Sequence, residues 1–120
     1  MAYLSERPIT QGEITFFAVT DDHFDGAAFD ETPHESGFYI VAHSESGHHH
    51  VLEMDRATVS TVRQDSAGMT ILRVLVEKPD TEIINKNPSG HKNLPIAPRL
   101  YEARISREMG MDDVIRSSRD

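Results

Sequence analysis

The chain contains no cysteine and no tryptophan. Without cysteine there is no disulfide framework, no thiolate metal site and no cysteine nucleophile, which fits a reducing compartment such as the cytosol. Aromatic residues make up only 7% of the chain and hydrophobic residues 38%, below the usual apolar share of a globular domain. A chain of 120 residues with that composition builds one modest core, and its loops are expected to be long. Positive charge is also scarce. Twelve Lys and Arg stand against 20 Asp and Glu, for a formal net charge of −8. The nearest thing to a basic run, Arg99, Arg104 and Arg107, is interrupted by Glu102 and Glu108. A phosphate-backbone partner needs clustered Lys and Arg, so nucleic-acid binding is not expected. Met1 to Thr10 has no apolar stretch, which predicts no signal peptide. No segment is apolar for long enough to span a bilayer, so no membrane partner is expected either.

What the sequence does contain is strand pattern. Glu13 to Val19 carries β-branched and aromatic residues in alternation. Phe38 to His43 and His48 to Glu53 read as two strands joined by Ser44-Glu45-Ser46-Gly47, a four-residue hairpin loop ending in Gly. Ala57 to Val62, Gly68 to Glu77 and Thr81 to Lys86 follow, with Pro79 ending the second of these. Asn87 to Pro98 holds three prolines besides Gly90 and reads as loop or edge. Leu100 to Arg107 alternates a charged outer face with an apolar inner one. Thr20 to Gly37 is a long acidic loop. Within it, Asp21-Asp22-His23-Phe24-Asp25-Gly26 has the outline of a calcium loop, but His23 stands at the third position and Thr32 at the twelfth, where a Glu is needed. His23 and His34 therefore read as solvated loop residues, and Tyr39 and Tyr101 as packing residues. Met109 to Asp120 reads as a short helix or a last edge strand. The fold class expected is all-β, a single small barrel or sandwich of about six to eight mostly antiparallel strands. Residues 1–12 form an extended N-terminal arm, 13–108 the β-domain and 109–120 a polar tail.

One constellation carries chemistry. Side chains at i and i+2 of a strand share a face, so His48 and His50 point one way and His49 the other. A four-residue loop pairs His43 with His48, Val41 with His50 and Tyr39 with Leu52, and directly paired residues share a face. His43, His48 and His50 then converge, and His91 from a later loop completes the set. A one-residue bulge would move His43 to the other face. Neutral imidazoles suit a divalent transition metal such as Zn, Ni or Fe. No nucleophile elbow, phosphate-cradling loop or dinucleotide fingerprint is present.

Gly47, His48 and His50 resemble the first motif of the cupin superfamily of β-barrels, although Glu53 stands one position before that motif's Glu. Pro88-Ser89-Gly90-His91 resembles its second motif with altered spacing. A broader resemblance runs along most of the chain. It joins Gln11-Gly12-Glu13 opening a strand, the Gly-His-X-His segment, a His ahead of Leu94-Pro95-Ile96, the strand Leu100-Tyr101-Glu102-Ala103-Arg104 and an Arg/Asp-rich tail. In that order of features the chain resembles a group of small β-proteins encoded by phages and prophages. This resemblance implies a non-enzymatic structural or binding protein, made in the host cytoplasm and carried in the virion, such as a capsid decoration protein. Its partners would be itself, as a homo-oligomer, and a larger protein assembly. The cupin resemblance implies instead a metal-dependent enzyme or metal-binding domain. A regulatory domain for a small acidic or sugar ligand is a third reading.

Overall fold

The computed structural model describes residues 2–43, 49–64, 69–86 and 92–105. They form eleven strands: β1 Ile9–Gln11, β2 Ile14–Ala18, β3 Phe29–Glu31, β4 His34–Glu35, β5 Phe38–His43, β6 His49–Glu53, β7 Ala57–Val62, β8 Thr70–Val76, β9 Thr81–Asn85, β10 Leu94–Ile96 and β11 Leu100–Ile105. The fold is all-β, as the alternating patterns predict. The long strands β2, β5, β6, β7, β8, β9 and β11 coincide with segments read as strand from the sequence. The four short ones, β1, β3, β4 and β10, lie where the sequence reads as arm, loop or edge. Ser44 to Gly47 and Met109 to Asp120 lie outside the described residues.

Two antiparallel sheets result, ordered β1-β2-β11-β8-β7-β3 and β10-β9-β6-β5-β4. They are not closed into a barrel, so the architecture is a sandwich. The period-two alternation sets the inner faces. Phe16, Ala103 and Leu72 stand in register across β2, β11 and β8, and Ala18, Tyr101 and Val74 form the next row. These meet Val41, Leu52, Ile83 and Ile96 of the other sheet in one buried cluster. Each fully buried aliphatic or aromatic side chain contributes about 1.5–3 kcal/mol.

Turn chemistry explains the short strands. Ser36 and Gly37 join β4 to β5 with φ of 55° and 86°. Two successive left-handed residues make the turn that matches strand twist in a two-residue hairpin. Gly12, with φ 62°, opens the equally tight turn between β1 and β2, where Gln11 faces Ile14. At the β3–β4 corner the chain passes from one sheet to the other through Thr32 and Pro33. Thr32 is buried and its hydroxyl meets that of Thr61 at 3.0 Å.

The exposed edges resist pairing with other strands. Pro95 removes a backbone donor from the middle of β10. β4 is two residues long, and β3 carries Asp30 and Glu31.

Candidate functional site

Of the four histidines expected to converge, His50 is the one whose side chain is described. Tyr39 faces Leu52 as expected, but a bulge between Ile40 and Ala42 shifts the register beyond that point. Ala42, not Val41, faces His50, and His43 faces His49. The bulge inserts one residue into β5 between the two registers. The expected pairing of His43 with His48 therefore does not form. His48 and His91 themselves lie outside the described residues. Among the described residues, no three His, Asp or Glu side chains gather as a metal-binding group.

His50 is buried, its side chain only 5% exposed. Its Nδ1 lies 2.6 Å from Gln11 Oε1. Gln11 is itself buried, and its amide nitrogen donates to Ile83 O at 3.2 Å and Lys92 O at 2.7 Å. Two carbonyl acceptors fix which end of the Gln11 amide is nitrogen. The oxygen faces the imidazole, so Nδ1 carries the hydrogen and donates. On the other side of the ring, Nε2 stands 3.6 Å from Glu13 Oε1. Gln11 and Glu13 flank the Gly12 turn, so one tight hairpin places a polar side chain beside each nitrogen of the ring. The buried Gln was not legible in the sequence, where residues 1–12 read as a polar arm.

A second polar centre lies on the outer face of the six-stranded sheet. Glu102 sits on β11 among residues whose alternation points outward, yet it is buried. Three donors converge on its carboxylate: Arg104 Nε at 2.6 Å, His23 Nε2 at 2.6 Å and the Tyr3 hydroxyl at 2.9 Å. The Ala2 N–H donates to His23 Nδ1 at 3.2 Å. That leaves the hydrogen on Nε2, which donates to Glu102. Arg104 also donates to the Tyr3 hydroxyl at 2.6 Å, and its guanidinium lies 4.7 Å from the Phe17 ring centre. Burial alone would raise the Glu102 carboxyl. Hydrogen bonds from Arg104, His23 and Tyr3 outweigh it and hold the group below its ordinary value. Burial and the hydrogen bond to Glu102 push the Tyr3 phenol up.

This centre corrects the reading of His23 as a solvated loop residue: its side chain is 6% exposed. It also pins the arm. Tyr3 bridges Val19, Leu4 N donates to Ala18 O and Thr20 N to Ala2 O, both at 2.9 Å. The first residues thus continue along the end of β2 as an added strip. His34 is exposed as expected, while Tyr101 packs in the core and donates to Ala97 O.

Between the sheets, a cleft of about 570 Å³ opens where β1 and β10 face each other. Ile9, Phe16, Ala18, Thr81, Ile96 and Tyr101 line it, and Arg99 closes one side through its ion pair with Glu6 at 3.5 Å. The chain matches no known protein family, no curated protein and no solved structure.

Proposed function

We propose that the chain is a non-enzymatic structural or binding module of phage origin that self-associates, through its arm and the adjoining loop, within a larger protein assembly such as a capsid. The observation that carries this reading is the state of the arm. Tyr3 and Leu4 are 43% and 37% exposed, Tyr3 held by the Glu102 centre and Leu4 by its backbone bond to Ala18 O. Anchored side chains lose little conformational entropy when they meet a partner, and aromatic anchors are the usual centres of protein interfaces. The guarded edges support the same reading, because association by strand addition is hindered at β10, β4 and β3.

Sedimentation equilibrium of the full chain over a wide concentration range tests this. Concentration-dependent association is expected for the wild type, weakened at least about tenfold, or 1.4 kcal/mol, in Leu4→Glu. Leu4 lies outside the Glu102 centre, so that variant keeps the fold. A wild type that stays monomeric at all concentrations would overturn the proposal.

A further inference from the structure

We draw no further inference here: the strongest candidate, the cleft between the sheets where β1 and β10 face each other, has a floor of Phe16, Ile96 and Tyr101 that is closed to solvent and a rim on which Glu6 and Asp80 offset Arg7 and Arg99, and nothing in the structure shows what covers it.

Discussion

At the scale of single residues, Glu102 decides whether the arm is held. Its carboxylate is buried and takes three donors, so removing the charge leaves Arg104 facing a neutral side chain in a partly dry setting. Glu102→Gln is expected to cost about 2–4 kcal/mol, read as a lower urea midpoint. The same group sets an acid limit. Its folded pKa lies below its ordinary value, so its contribution is fully present above the ordinary carboxylate range. That contribution is lost as pH falls through the lower, folded value. Denaturant midpoints measured downward from pH 6 are expected to fall across and below the carboxylate range, with a shallower fall in Glu102→Gln. Equal slopes in the two proteins would count against it. Sequence alternation correctly put Glu102 on the outer face. It could not reveal that Tyr3, separated from it by 99 positions, covers that face. The reading of His23 failed for the same reason: a polar loop looks solvated until the distant carboxylate that folds against it is known.

At the scale of elements, long strands were legible and short ones were not. β2, β5, β7 and β8 advertise themselves through β-branched residues and alternation. β1, β3 and β4 are two or three residues each, too short to show a period, and they exist because turns and corners place them beside a neighbour. The Ser36-Gly37 hairpin is a local signal that the long-loop reading of residues 20–37 passed over. Asn tolerates left-handed backbone better than Ser. Ser36→Asn is therefore expected to raise stability by about 0.5 kcal/mol, whereas Gly37→Val is expected to lower it by about 1–2 kcal/mol. Chemical denaturation measures both, and a neutral Gly37→Val would contradict the assigned turn. The bulge at Val41 has no sequence signature, yet by one residue it changes the pairing of β5 with β6 beyond Ile40, so that Ala42 faces His50.

At the scale of the whole molecule, composition anticipated a small β core and an acidic surface. It could not show where the arm lies against the sandwich, which depends on contacts distant in sequence. A net charge of −8 repels like copies, whereas the proposed docking through Tyr3 and Leu4 would attract them. Screening weakens the repulsion and leaves the apolar contact intact. Self-association is therefore expected to strengthen between about 20 and 500 mM salt, where the Debye length shortens from about 20 Å to about 4 Å. A contact held by ion pairs would weaken instead. The most direct measurement is hydrogen–deuterium exchange of the wild type in dilute and in concentrated solution. Concentration is expected to slow exchange in residues 2–8 and in the loop 20–28, with β10 and β3 unchanged. Slowed exchange confined to the edge strands, or no change at any concentration, would contradict docking through the arm.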